Sequence, residues 1–243
     1  MIIVAGGSGY LGKSVMRHLL EGQKNPIVNL SSRLSEEFKG KVEQFEIDLT
    51  DYASVFASAS ELSNKVQAII NLAGRSARKK KEDPVLREFD LLARDSIHDL
   101  RILFNLARLM FDFPNLFHEG ARLIDIGSLW ASHIPYAETY LDLGNEPDLS
   151  VMLSKVNKKV FVKYLARELG KKGFTANQLT PGWFPKPSKT PREDYIKGIV
   201  DRVPLGRIGV PSDLFPAIDM LISASSTYLN GQEIVIDGGF SIY

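Results

Sequence analysis

The chain reaches a glycine-rich turn almost at once. A short apolar run, Ile2-Ile3-Val4-Ala5, passes directly into Gly6-Gly7-Ser8-Gly9-Tyr10-Leu11-Gly12-Lys13-Ser14, after which helical periodicity begins. A strand that turns into a helix within so few residues needs backbone free of side chains. Glycine supplies the turn, and its N–H groups at a helix N-terminus favour a phosphate. Two phosphate-binding patterns fit these residues. Gly6-x-x-Gly9-x-x-Gly12 is a dinucleotide-type turn. Gly7-x-x-x-x-Gly12-Lys13-Ser14 matches the P-loop, in which Lys13 would reach the β/γ-phosphates and Ser14 a magnesium ion. A P-loop also needs an Asp after an apolar strand, and Leu123-Ile124-Asp125 could provide it. The turn by itself leaves both readings open.

The remainder of the chain alternates two periodicities. Residues 2–5, 27–30, 42–47, 67–72, 123–126, 175–179 and 233–236 read as strands, several of them apolar without alternation. Such runs suit strands covered on both faces. Residues 11–20, 51–62, 85–111, 154–169 and 212–223 carry helical patterns. Alternating strand and helix predicts an α/β fold with a doubly wound parallel sheet flanked by helices. Two loops interrupt it, at 132–150 and in the proline-rich stretch from Pro181 to Pro191. With no repeat and no linker composition, residues 1–243 are expected to form a single domain.

Composition narrows the function classes. Thirty Lys+Arg against 29 Asp+Glu give a formal net charge of +1, so no electrostatic argument favours nucleic acid or an anionic membrane. With no cysteine, disulfides, thiolate catalysis and cysteine metal sites are excluded. His18, His98, His118 and His133 show no ligand spacing, and no metal is expected. No stretch approaches the roughly 18 apolar residues of a membrane span, and the chain start leaves no room for a secretory signal. A soluble, cytoplasmic protein is expected.

Further segments, in order and spacing, resemble the short-chain dehydrogenase/reductase family from Ile2 to about Phe240. They are Asp48-Leu49-Thr50, Asn71-Leu72-Ala73-Gly74, Ile126-Gly127-Ser128, Ser154-Lys155, Ala166-Arg167-Glu168-Leu169, Pro181-Gly182-Trp183, Pro204-Leu205-Gly206-Arg207 and the closing run from Gly231 to Gly239. The resemblance implies a Rossmann-type domain binding a nicotinamide dinucleotide across the strand ends. Gly6, Ser8, Gly9, Tyr10 and Leu11 would cradle the pyrophosphate, Asp48 and Leu49 would flank the adenine, and Asn71, Ala73 and Gly74 would lie against the ribose. Pro181, Gly182 and Trp183 would border the nicotinamide. After the second strand come Ser32 and Arg33 in place of a carboxylate. A hydroxyl and a guanidinium suit a 2′-phosphate, so NADP(H) is favoured over NAD(H).

The resemblance also implies a catalytic Ser, Tyr and Lys, with the Tyr four residues before the Lys, and an Asn on an earlier helix. Ser128 and Lys155 match, but Val151 stands where the Tyr is expected and Ser96 where the Asn is expected. Tyr140, or else Tyr136, in the loop between Ser128 and Val151 could return as the proton donor. The favoured reading is an oxidoreductase passing a hydride between nicotinamide and the carbonyl or alcohol of a small-molecule substrate. A nucleotide-binding sensor or silent subunit is the alternative, and a P-loop phosphotransferase a remote one. Arg75 and the run Arg78-Lys79-Lys80-Lys81 could attract an anionic substrate or be a solvated face. Residues 90–111 and 154–169 are apolar over more than one stripe, which predicts a second buried face and a homodimer or homotetramer.

Overall fold

Strands that are apolar on both faces require cover on both faces, and β1 (Ile2–Ala5) shows how the requirement is met. Ile3 and Ala5 enter one core cluster while Ile2 and Val4 enter another on the opposite side, and all four are fully buried. Each such Ile or Val contributes about 1.5–3 kcal/mol by leaving water. The computed structural model describes residues 1–22, 25–74, 89–134, 149–186 and 193–242. The further strands are β2 (Ile27–Ser31), β3 (Glu43–Glu46), β4 (Val66–Asn71), β5 (Phe117–Ile126), β6 (Thr175–Pro181) and β7 (Glu233–Ile236). They form one sheet in the order β3-β2-β1-β4-β5-β6-β7, with every neighbouring pair parallel.

Among the described residues the helices are α1 (Tyr10–Gly22), α2 (Tyr52–Ser60), α3 (Phe89–Ser96), α4 (His98–Asp112), α5 (Leu149–Gly170), α6 (Glu193–Val200) and α7 (Phe215–Ile222). Val55 of α2, Leu103 and Leu106 of α4, and Val162 and Leu165 of α5 cover one face. Val15, Met16 and Leu19 of α1 and Ile218 and Leu221 of α7 cover the other. This is the expected doubly wound Rossmann arrangement. The chain winds outward from β1 to β3, returns to β4 and continues to β7. The carboxyl ends of β1 and β4 therefore flank the switch point where such sheets bind ligands.

Three elements differ from the sequence-based expectation. The helical pattern at 85–111 is divided at Ile97 among its described residues. The Ser96 hydroxyl bonds back to the Ala93 carbonyl at 2.8 Å, and the Ser96 carbonyl accepts from Asn157 of α5 at 3.4 Å. Both bonds compete with the helical ladder at this division. The helix expected at 154–169 begins five residues earlier, at Leu149. Just past the proline-rich loop, α6 is a helix that none of the expected helical stretches covers.

Candidate active site

The glycine turn is held mainly by its own backbone. A Cβ on Gly6, whose φ is +80°, would lie 2.7 Å from the Ala73 nitrogen at the end of β4, and one on Gly12 would collide with the Gly6 carbonyl. These two glycines let the ends of β1 and β4 and the start of α1 meet. Gly9 differs: it is exposed, and a Cβ there would meet only the Gly6 carbonyl oxygen, at 3.2 Å. Its missing side chain leaves open a concave surface of backbone, suited to a pyrophosphate at the N-terminus of α1.

Beside the turn, polar side chains fix the end of β2. Ser31 Oγ accepts from the Ser8 N–H at 3.3 Å and donates to Asn29 Oδ1 at 2.8 Å. Asn29 Nδ2 donates to Ser8 Oγ and to Gln44 Oε1, each at 3.0 Å. The Gln44 amide then clamps the backbone of Ser35 at 3.0 and 3.1 Å. Between Ser31 and Ser35, Ser32 and Arg33 stand exposed. Asp48 is also exposed and accepts from the Thr50 N–H and hydroxyl, both at 2.8 Å. Leu49 is buried, and its carbonyl accepts from Asn105 of α4 at 2.9 Å.

A network of buried charge lies below the switch point. Asn71 donates to Asp125 Oδ1 at 2.7 Å and accepts from the Ala73 N–H at 3.1 Å, so its side chain straps β4 to β5. Lys158 Nζ is 2.8 Å from Asp125 Oδ1 and donates to the Ile126 carbonyl at 3.1 Å, while Gln178 of β6 donates to Asp125 Oδ2 at 2.9 Å. Asp125 is fully buried within this network, which removes it as the magnesium-holding Asp of a P-loop. Lys155 Nζ donates to Asp99 Oδ2 at 2.6 Å, and His98 Nδ1 lies 3.1 Å from Asp99 Oδ1. Gly74 fits beneath this pair: a Cβ on it would lie 2.6 Å from Asp99 Oδ2 and 3.2 Å from Lys155 Nζ.

The two charges of the pair are affected differently. Burial opposes ionisation of Asp99, yet the His98 hydrogen bond and the ammonium groups of Lys155 and Lys158 hold its carboxyl well below the usual carboxylate range. Burial pushes the Lys155 ammonium below its ordinary value and repulsion from Lys158 adds to the effect, with Asp99 and Asp125 opposing both.

On the β5–β7 side the strand ends open into a cavity of about 460 Å³. Leu11, Ser128, Lys155, Pro181, Gly182 and Trp183, all singled out from sequence, line it. Ser128 caps a short turn by accepting from the Trp130 N–H at 3.3 Å. Most of the remaining wall is apolar, including Leu129, Trp130, Phe184, Ile199 and Phe240. Val151, four residues before Lys155 on α5, is buried. Tyr136, Tyr140, Arg75 and residues 78–81 lie outside the described residues.

A model of the family described as enoyl-(acyl carrier protein) reductase matches residues 22–241. The chain belongs to the short-chain dehydrogenase/reductase family. A 3-oxoacyl-[acyl-carrier-protein] reductase of Vibrio harveyi is 23% identical over 247 residues, covering 98% of this chain and 95% of that one. A short-chain dehydrogenase of Leptospira borgpetersenii, solved with bound NAD+, superposes with a TM-score of 0.86 at 24% identity over 99% of this chain and 92% of that one. A gluconate 5-dehydrogenase of Burkholderia cenocepacia, solved with NADP and tartrate, does so with a TM-score of 0.83 at 20% identity over 100% and 95%.

In this short-chain dehydrogenase/reductase, sequence reasoning missed Asp99, Lys158 and His133. Asp99 lies one helical turn beyond Ser96, and an acidic residue inside an otherwise apolar helical stripe was the available signal. Lys158 carried a similar one, since it falls on the helix face that the pattern assigns to the core. His133 also lines the cavity, and its spacing in the sequence speaks only to metal binding. No cluster of His, Cys, Asp or Glu able to hold a metal is found among the described residues.

Proposed function

We propose that the chain is an NADP(H)-dependent oxidoreductase acting on the carbonyl or alcohol of a small molecule, with residues 1–243 serving as one nucleotide-binding domain. The observation that carries this reading is that Ser128 and Lys155 face the same cavity that Pro181, Gly182 and Trp183 border, with Leu11 joining it to the glycine turn. A nicotinamide dinucleotide bound across these strand ends supplies or accepts the hydride. Gly9 and the N-terminus of α1 would take its pyrophosphate, Asp48 and Leu49 its adenine, and the backbone at Asn71, Ala73 and Gly74 its ribose. Ser128 would donate a hydrogen bond to the reacting oxygen. Lys155, anchored by Asp99, would hold the nicotinamide ribose. The apolar cavity wall keeps water from the reacting carbon. Because the matched family model and the Vibrio relative are described by acyl-carrier-protein chemistry, acyl thioesters with a 3-oxo group are the first substrates to offer.

The preference for NADP(H) rests on Ser32 and Arg33, exposed beyond the pinned end of β2, where the sequence carries a hydroxyl and a guanidinium in place of a carboxylate. Trp130 and Trp183 both line the cavity, so their fluorescence reports binding. NADPH is expected to quench it at lower concentration than NADH, and Arg33→Ala to remove the difference. Equal affinities in the unaltered protein overturn the preference, and no quenching by either overturns the dinucleotide site.

Val151 and the commitment of Lys155 to Asp99 favour a second reading, in which the nucleotide site is kept and turnover is lost. Tight NADPH binding without oxidation across a carbonyl panel, and no effect of Lys155→Ala on any activity, would select it. Association into a homodimer is a further part of the proposal. Phe104 of α4 and Val160 and Tyr164 of α5 are 50%, 64% and 52% exposed, and Phe161 stacks between the two aromatic rings.

A further inference from the structure

The division of the helical pattern at Ile97 gives α4 an N-terminus of its own at His98. Asp99 falls in the first turn of α4, where the helix dipole favours a negative charge. Its carboxylate is held at both oxygens. Oδ2 accepts from Lys155 Nζ at 2.6 Å, and Oδ1 lies 3.1 Å from His98 Nδ1. An ionised carboxylate only accepts, so Nδ1 carries the hydrogen of that bond and the imidazole aligns Asp99. The ion pair is enclosed, with the side chains of Asp99 and Lys155 1% and 10% exposed.

The ammonium nevertheless stands at the open end of β4. Gly74 is exposed there, and a Cβ on it would lie 3.2 Å from Lys155 Nζ. Lys155 thus reaches the backbone to which the ribose is assigned. Its charge is contested. Among the described residues, the charged groups acting on it are Lys158 of its own helix, Asp99 of α4 and Asp125 of β5. Burial and Lys158 drive the proton off, while the two carboxylates retain it. Asp125 is engaged with Lys158, whose Nζ lies 2.8 Å away and also donates to the Ile126 carbonyl at 3.1 Å. Asp99 is the carboxylate that touches Lys155 itself.

We propose that Asp99, aligned by His98, is the positioning residue for Lys155: it fixes the ammonium against Gly74 and preserves its charge one helical turn from Lys158, so that the nicotinamide ribose meets a cation already in place. An ammonium has three hydrogens to donate, and the bond to Asp99 uses one of them. The commitment of Lys155 to Asp99 then readies it for the cofactor and does not withdraw it. A donor fixed before binding spares the cofactor the cost of ordering it. The proposal rests on the oxidoreductase reading and assigns the groups that make its lysine effective.

NADPH affinity of the full chain, read by tryptophan quenching from about pH 6 to about pH 10, covers the approach to the ordinary lysine value. Asp99→Asn keeps the shape of the side chain and removes its charge. Near pH 8 it is expected to bind NADPH about 10- to 100-fold more weakly than the parent, the range for a lost hydrogen bond to a charged group. Without Asp99 the ammonium gives up its proton at lower pH. The fall in affinity with rising pH should therefore begin earlier in Asp99→Asn, and the gap to the parent should narrow toward the acid end. In a Lys155→Met chain, adding Asp99→Asn should change the affinity little. Coincident pH profiles for the parent and Asp99→Asn, or an undiminished loss in the Lys155→Met chain, overturn the positioning role, because an Asp99 that only supports the fold moves melting temperature and not the profile. Where Asp99→Asn does not fold, His98→Ala decides: a smaller shift of the profile in the same direction supports the proposal, and a profile matching the parent's overturns it. A parent that binds no NADPH overturns the oxidoreductase reading instead.

Discussion

Lys155 and Lys158 lie one helical turn apart on α5, both buried, and each has its own carboxylate partner in Asp99 or Asp125. The Asp99 carboxyl is held below its ordinary value of 3.8, so the folded state binds the charged form more strongly than the unfolded chain does. The stability Asp99 contributes is therefore full above its unfolded value and is lost as pH falls through that value toward the folded one. Urea unfolding of the parent and of Asp99→Asn should differ most near neutral pH, with the gap closing below about pH 4. A constant gap across that range would contradict the pairing. Lys155 was legible in the sequence because its distances to Ala166-Arg167-Glu168-Leu169 and to Pro181-Gly182 anchor it. Asp99 was not. Periodicity assigns faces to a straight helix, and the back-bond of Ser96 to Ala93 at the Ile97 break is a local competition that periodicity does not register.

At the level of elements, the turn between β1 and α1 separates fold from ligand. Gly12 packs against the backbone of Gly6 and Gly7, whereas Gly9 faces outward. Gly12→Ala is expected to lower the melting temperature by several degrees or more through overpacking of about 1–3 kcal/mol. Gly9→Ala should melt close to the parent yet bind NADPH at least tenfold more weakly. Equal melting temperatures in the two variants would show that the glycines do not divide these tasks. The strands and their doubly wound order were readable because two-sided burial leaves continuous apolar runs. Element ends were less so: α5 starts at Leu149, before the motif that marked it, and α6 lies just past a stretch whose prolines point to a loop. Tertiary contacts set these ends, and residue preferences alone do not carry them.

Across the whole molecule, α4 and α5 bury one side against the sheet and leave Phe104, Val160 and Tyr164 outward. Sedimentation is expected to give a mass of twice 27.1 kDa at micromolar concentration, and Val160→Glu combined with Phe104→Glu to give the monomer. A monomeric parent would mean that this apolar side serves no self-association. The sequence showed the excess of apolar residues on these two helices but not which of them faced outward, since that depends on the rotation each helix takes on the sheet. The cross-tie beneath the switch point joins four separate elements, through Asn71 of β4, Asp125 of β5, Lys158 of α5 and Gln178 of β6. Removing either charge alone strands the other, at a cost of about 3–5 kcal/mol. Single-step drift at Lys158 or Asp125 thus passes through a crippled ancestor, and a lineage can abandon that quartet only by exchanging both ions together, so the group is inherited as one character.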